Sequence, residues 1–186
     1  MARVMTLILP GLSSSGPEHW QSHWERRDPT CRRVEQSDWE APSCGDWVVQ
    51  LDHAVAGARG DVALVAHSSA CALVAHWAAV ASPDSVRRVR GALLVAPSDP
   101  EGAHYPKGPS GFAPVPLSRL PFRSIVVASE NDEYVSLAQA RVYASAWGSE
   151  LVGIGAAGHI NSASGLGAWP VGYALLETLR GRAGAV

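Results

Sequence analysis

Ser68, Asp132 and His159 stand far apart in the chain, yet each lies shortly after an apolar run, at 62–66, 125–128 and 151–154. Together these residue types form a complete set for nucleophilic acyl transfer. A serine hydroxyl attacks a carbonyl only when a base takes its proton. Imidazole suits that task at neutral pH, and a carboxylate fixes its tautomer and direction. Each residue also has a plainer reading. Ser68 suits a turn or a helix cap. Asp132 has rivals in Glu130 and Glu133 beside it, and in Asp99 after the apolar run at 91–96. His159 has no rival late in the chain, and its glycine-rich flanks, GAAGH and SGLG, suit a base carried on a loop.

The stretch LVAHSSACALV, residues 64–74, sets Ser68 between a strand-like run and an alanine-rich, helix-like one. A sharp strand-to-helix turn of this kind pushes a serine out at the top of a sheet. The usual Gly-x-Ser-x-Gly has become Ala66-His67-Ser68-Ser69-Ala70; alanine is the next smallest residue where strand and helix backbones come close. The register makes Ser68 the nucleophile and Ser69 a backbone N–H donor to the oxyanion. The second donor is expected from the loop after the first strand, at Leu12 or alternatively Ser13. Gly11, Ser13 and His67 then border the substrate pocket, with Phe112 from a later loop forming a wall. The order Ser, Asp, His is that of α/β-hydrolases and not that of the two common serine-protease types.

These side chains need a scaffold, and the chain alternates accordingly. Apolar runs at 4–9, 62–66, 91–96, 125–128 and 151–154 read as strands, with a more polar one at 32–36 suited to a sheet edge. Helical patterns fall at 45–58, 69–81, 137–147 and 171–179. Ser15 and Glu18 have capping-box spacing, with Pro17 between them, and are expected to open a tryptophan-bearing helix. The expectation is a doubly wound, mostly parallel sheet of about six strands with helices on both faces, forming one α/β domain over residues 1–186. The Pro- and Gly-rich segment 98–123 is too short for a cap domain and reads as a rim loop, with Tyr105, Phe112, Val115 and Leu117 available to a shallow pocket. Trp20, Trp24, Trp47, Trp77 and Trp147 read as core. His19 and His23 have the spacing of a metal pair but lack a third ligand, and read as one helix face.

Composition excludes several other classes. A net charge of -2, with no cluster of more than two adjacent Lys or Arg residues, gives no footprint for nucleic acid. The apolar run before Pro10 is too short for a signal-peptide core, and no stretch reaches the length of a membrane helix. Three cysteines without Cys-x-x-Cys spacing fit neither a disulfide framework nor a zinc site. A cytoplasmic protein without metal or cofactor is expected, and the sequence is silent on its oligomeric state.

An ordered set of motifs adds a family resemblance over nearly the whole chain. It comprises Pro10-Gly11, His19-Trp20 and Trp24, then Trp39, Pro42 and Trp47, then His67-Ser68 and Val95-Ala96-Pro97. It continues with the Phe112-to-Pro116 segment, with Val127 to Asp132, and with Gly158-His159-Ile160-Asn161. In these the chain resembles the small serine hydrolases related to retinoblastoma-binding protein 9, compact members of the α/β-hydrolase superfamily. The resemblance implies a triad of Ser68, Asp132 and His159 and hydrolysis of esters or related acyl compounds. Both elbow glycines are alanines here. The Leu-x-Cys-x-Glu motif of retinoblastoma binding is absent, so that partner is not expected. A carboxylesterase-like enzyme acting on a small acyl substrate is the leading reading. A thioesterase, a small amide hydrolase, or an inactive fold kept as a binding module are the alternatives.

Overall fold

The computed structural model describes residues 4–181. Six strands form one sheet in the order β2-β1-β3-β4-β5-β6: β1 Met5–Leu9, β2 Cys31–Arg33, β3 Val62–His67, β4 Val89–Val95, β5 Ser124–Ala128 and β6 Glu150–Gly153. Every neighbouring pair is parallel. Six helices cross between them or follow: α1 Trp20–Arg27, α2 Cys44–Gly57, α3 Ser69–Val80, α4 Pro83–Arg87, α5 Leu137–Trp147 and α6 Pro170–Leu179. The central strands are continuously apolar because helices bury both of their faces.

Alternation along the strands sorts the core into two layers. Leu7, Leu64, Ala66, Leu94 and Val126 point to the side covered by α2, α3 and α5, where Trp47, Leu51, Trp77 and Trp147 pack. Ile8, Ala63, Val65, Leu93 and Val127 point to the side of α1 and α6, against Trp20, Trp24 and Leu176. The five helical tryptophans expected in the core are all at most 1% exposed. Each buried indole N–H also finds an acceptor, as such groups must. Two of these bonds matter for the site: Trp20 donates to the Ile160 carbonyl (2.8 Å) and Trp24 to the Ala168 carbonyl (2.8 Å), which ties the segment after β6 to α1.

Two local expectations need correction, and one element is added. The helix after β1 does not open at Ser15. It starts at Trp20, and His19 caps it by accepting the Gln21 N–H at Nδ1. Ser15 instead ends a tight 3-10 turn in which Ser13, Ser14 and Ser15 all have positive φ, of 61°, 59° and 40°. The edge strand is shifted towards the N-terminus of the expected 32–36: it lies at Cys31–Arg33, with one further bond from the Val34 N–H to the Ile8 carbonyl before the chain leaves the sheet. The short helix α4 was not anticipated, although Ser82 caps it and Pro83 begins it.

Candidate active site

In open parallel sheets, ligands bind beyond the carboxyl ends of the strands, where the strand order reverses. Here the reversal lies between β1 and β3, which are in register at Leu9 and Ala66. Ser68 follows β3 directly. Its φ of 60° and ψ of -127° put it in a strained conformation that turns strand into helix within one residue. Strain of this type costs about 1–3 kcal/mol and persists only where the surroundings over-determine it. Ser68 is held by its N–H, which donates to the Val95 carbonyl (3.0 Å).

The three residues read from the sequence come together. Ser68 Oγ lies 2.9 Å from His159 Nε2, and His159 Nδ1 lies 2.9 Å and 3.0 Å from the two Asp132 oxygens. With Nδ1–H donating to the carboxylate, Nε2 is free to accept the Ser68 proton. The Asp132 side chain is fully buried, and its Oδ1 also accepts the Tyr134 N–H (2.9 Å). The rival carboxylates are differently placed. Asp99 accepts from the Tyr143 hydroxyl (3.3 Å) and the Glu101 N–H (3.0 Å), while Glu130 and Glu133 are exposed. The loops bearing Asp132 and His159 are latched together: Ser129 Oγ accepts the Ala157 N–H (2.9 Å) and Asn131 Oδ1 the Gly158 N–H (2.7 Å).

A second serine, Ser98 in the loop after β4, lies 2.7 Å from Ser68 Oγ and is buried. Since Ser68 donates to His159, Ser98 must donate to Ser68, which helps to orient the Ser68 hydroxyl. His67 is also buried, and its Nε2–H donates to the His159 carbonyl (2.9 Å). Burial, with His159 and His19 nearby, holds the His67 pKa well below its ordinary value. Burial, then the charge of Arg33, then His159 lower His19 to about 3. Both rings are therefore neutral near pH 7. His19 is not on a helix face with His23; it caps α1 and borders the cleft, with its ring 4.7 Å from that of His67.

The cleft above Ser68 has a volume of about 460 Å³. Leu12, Ser13, His19, His67, Ser69, Ser98, Pro106, Tyr134 and residues 161–163 border it; no Lys, Arg, Asp or Glu lines it. A larger concavity of about 580 Å³ lies at the opposite end of the sheet, around Ser124 and Glu150, and includes none of these residues. Ser69 opens α3 and Leu12 opens the 3-10 turn, so neither N–H has an intrahelical acceptor. The Ser13 N–H, by contrast, donates to the Trp39 carbonyl (2.9 Å), which leaves Leu12 as the available donor on that loop. Gly11 stands behind Ser68 and does not border the cleft: a Cβ there would meet Ser68 Cβ at 2.8 Å. Phe112 is not a pocket wall. It is 1% exposed and packs edge-on against Trp47 at 5.5 Å, in the core. From the 98–123 segment the site is instead approached by Pro106 and by Tyr105, whose hydroxyl lies 3.0 Å from Ser69 Oγ.

Two residues passed over in the sequence organise the turn at residues 12–15. Gln21 is fully buried, accepts from Ser15 Oγ (2.7 Å), and donates to the Leu9 and Val65 carbonyls (3.2 and 3.1 Å). A glutamine between two core tryptophans was the available signal. Arg33, on the edge strand, donates to the Ser14 and Ser15 carbonyls (2.5 and 3.3 Å). Nothing local in the sequence marks it.

A parallel sheet wound in both directions from the β1–β3 junction, with its reactive cluster past the strand ends, makes this chain an α/β-hydrolase by fold. A model of the serine hydrolase family matches residues 6–178, and the chain belongs to that family. It is similar to a protein described as a YdeN-like hydrolase from Pectobacterium atrosepticum, with 32% identity, a TM-score of 0.82, and coverage of 96% of this chain and 91% of that one. The ydeN gene product of B. subtilis shares 17% identity at a TM-score of 0.71, over 95% of this chain and 98% of that one. A thermophilic esterase from Thermogutta terrifontis shares 14% identity at a TM-score of 0.67, covering 95% and 89%. The last two show likeness of fold alone. Comparison with curated proteins returned no match. Among the described residues, no helix is long and apolar enough to cross a membrane.

Proposed function

We propose that this serine hydrolase cleaves small, uncharged carboxylic esters through an acyl-enzyme, with Ser68 as nucleophile, His159 as base and Asp132 as its orienting carboxylate. The observation that carries the reading is the unbroken chain from Ser68 Oγ through His159 to Asp132, with both heavy-atom links at 2.9 Å. As Ser68 Oγ bonds to the carbonyl carbon, its proton passes to His159 Nε2. The Leu12 and Ser69 N–H groups receive the oxyanion, and Asp132 stabilises the imidazolium. Collapse expels the alkoxide, which takes the proton from Nε2. Water, deprotonated by the same nitrogen, then releases the acid and restores Ser68.

The absence of charged side chains around the cleft supports a neutral acyl group, and its volume supports a short one. Thioesters and small amides pass through the same oxyanion and are the neighbouring possibilities. The kinship with retinoblastoma-binding protein 9 rests on the sequence motifs. A fluorophosphonate probe with peptide mapping tests the reading. Ser68 takes the label, Ser69→Ala still labels, and Ser68→Ala lowers kcat on an activated ester by about 10⁴- to 10⁶-fold. Labelling that survives in Ser68→Ala and disappears in Ser69→Ala refutes the assignment. Absence of both labelling and turnover favours a binding module.

A further inference from the structure

The turn that carries the Leu12 N–H has a shape its own residues do not favour. Ser13, Ser14 and Ser15 are consecutive and all left-handed, a conformation that side chains other than glycine disfavour. Such a run persists only if partners outside it hold it. Ser13 is tied through its N–H to Trp39, and Ser15 through its hydroxyl to Gln21. The middle of the turn is gripped from the sheet edge. Arg33 NH1 donates to the Ser14 carbonyl (2.5 Å), the Ser14 hydroxyl (3.0 Å) and the Ser15 carbonyl (3.3 Å). NH2 donates to Ser22 Oγ (2.8 Å), which in turn donates to the Ser15 carbonyl (2.9 Å).

The other edge of the guanidinium is fixed by Glu25 on α1, with Nε at 3.1 Å and NH2 at 2.6 Å from Oε2. The side chains of Arg33 and Glu25 are only 17% and 22% exposed. A planar fork is needed to reach a carboxylate on one side and two backbone carbonyls on the other, which a single ammonium does not span.

We infer that Arg33 is a positioning residue for catalysis: clamped by Glu25, it holds the turn at residues 12–15 so that the Leu12 N–H faces the oxyanion. This rests on the proposed role of Leu12 in acyl transfer. The competing view is an ion pair that merely stitches β2 to α1, which would contribute to stability alone. The two views differ in what they do to the transition state. An oxyanion donor acts there and not on bound substrate, so its loss lowers kcat and leaves KM in place.

The test uses the full chain and p-nitrophenyl acetate. Arg33→Ala is expected to lower kcat by about 10²-fold, the scale of one lost oxyanion donor, with KM within about threefold. The Ki of a trifluoromethyl ketone, which forms the same oxyanion on Ser68, is expected to weaken by the same factor. Guanidinium chloride at tens of millimolar is expected to restore part of kcat to Arg33→Ala and nothing to wild type. Glu25→Gln is expected to move both parameters the same way by less. If Arg33→Ala does not fold, Arg33→Lys carries the same measurements. Wild-type-like kcat and Ki in the folded variant overturn the inference while leaving the esterase reading intact. So does a loss that tracks the unfolded fraction and is not rescued. A wild-type protein that neither hydrolyses the ester nor takes the fluorophosphonate overturns both.

Discussion

One methyl group, added as Gly11→Ala, tests whether Ser68 and the turn carrying Leu12 are as tightly fitted as they look. Gly11 has a φ of -78°, so alanine meets no backbone penalty there and the whole effect is contact. The added Cβ would lie 2.8 Å from Ser68 Cβ, 3.0 Å from the His67 carbonyl oxygen and 3.3 Å from Ser68 Oγ. Carbon atoms rest at about 3.5–4.0 Å, so roughly 0.7 Å must be found. The two nearest of these atoms, Ser68 Cβ and the His67 carbonyl oxygen, are not ends of flexible side chains. The His67 backbone belongs to β3, and Ser68 is pinned by its N–H to Val95. The displacement therefore falls on the Ser68–His159 geometry and on the loop carrying Leu12. A misplacement of about 1 Å costs about 10²-fold in rate, so kcat should fall by about 10- to 100-fold. Overpacking should cost about 1–3 kcal/mol, which leaves a folded protein. The assay is kcat on p-nitrophenyl acetate, with the folded fraction followed by circular dichroism. Gly57→Ala, whose Cβ meets nothing within 4 Å, is the control. A folded Gly11→Ala enzyme with kcat within about threefold of wild type refutes the argument.

Asp132→Asn should fold and lose up to about 10⁴-fold in kcat, because the wrong imidazole tautomer is favoured, whereas Asp99→Asn should change it by less than about tenfold. An unaffected Asp132→Asn enzyme removes Asp132 from the mechanism. Acid stability should report the neutral, buried His19. Its pKa falls from 6.5 in the unfolded chain to about 3 in the native one, so no stability is at stake above pH 6.5. Below that, the unfolded state binds a proton that the native state refuses. Lowering the pH from about 6.5 to about 4.5 should therefore cost about 2 kcal/mol from His19, with His67 acting in the same direction. Urea unfolding at the two pH values measures this. His19→Asn, which keeps a capping oxygen for α1, should flatten the slope; an unchanged slope refutes the assignment. Phe112→Ala should destabilise the fold by about 3–5 kcal/mol without altering acyl preference, since Phe112 is core. In both proteins kcat/KM should peak between acetyl and hexanoyl esters; a preference for about twelve carbons or more contradicts so small a cleft.

The features legible in the sequence are those set by burial and spacing. Strands β3 and β4 announce themselves because both faces are covered, and Ser68, Asp132 and His159 follow strand ends in a readable order. The start of α1 is not legible. Ser15 and Glu18 carry a sound capping signal, but Arg33 and Gln21 hold the serines in a different turn, and that competition is tertiary. Phe112 illustrates the same limit: an aromatic in an irregular segment faces cleft or core depending on Trp47, which is distant in sequence. Ser98 lies just past an apolar run, but its bond to Ser68 Oγ depends on how β3 and β4 are staggered.

The uniformly parallel sheet also shapes how the chain reaches this state. The closest paired residues in sequence, such as Thr6 with Cys31 and Ile125 with Glu150, are 25 positions apart. No pairing can therefore start as a hairpin, and each must close a long loop before any ladder bond rewards it. Strand β3, which joins β1 to β4 and is buried along its whole length, cannot be shielded until two such loops have closed. The folding chain thus carries an unprotected VALVA run through its slowest step. Compared with a helical bundle of equal stability, it is slower to fold and more prone to aggregate during refolding.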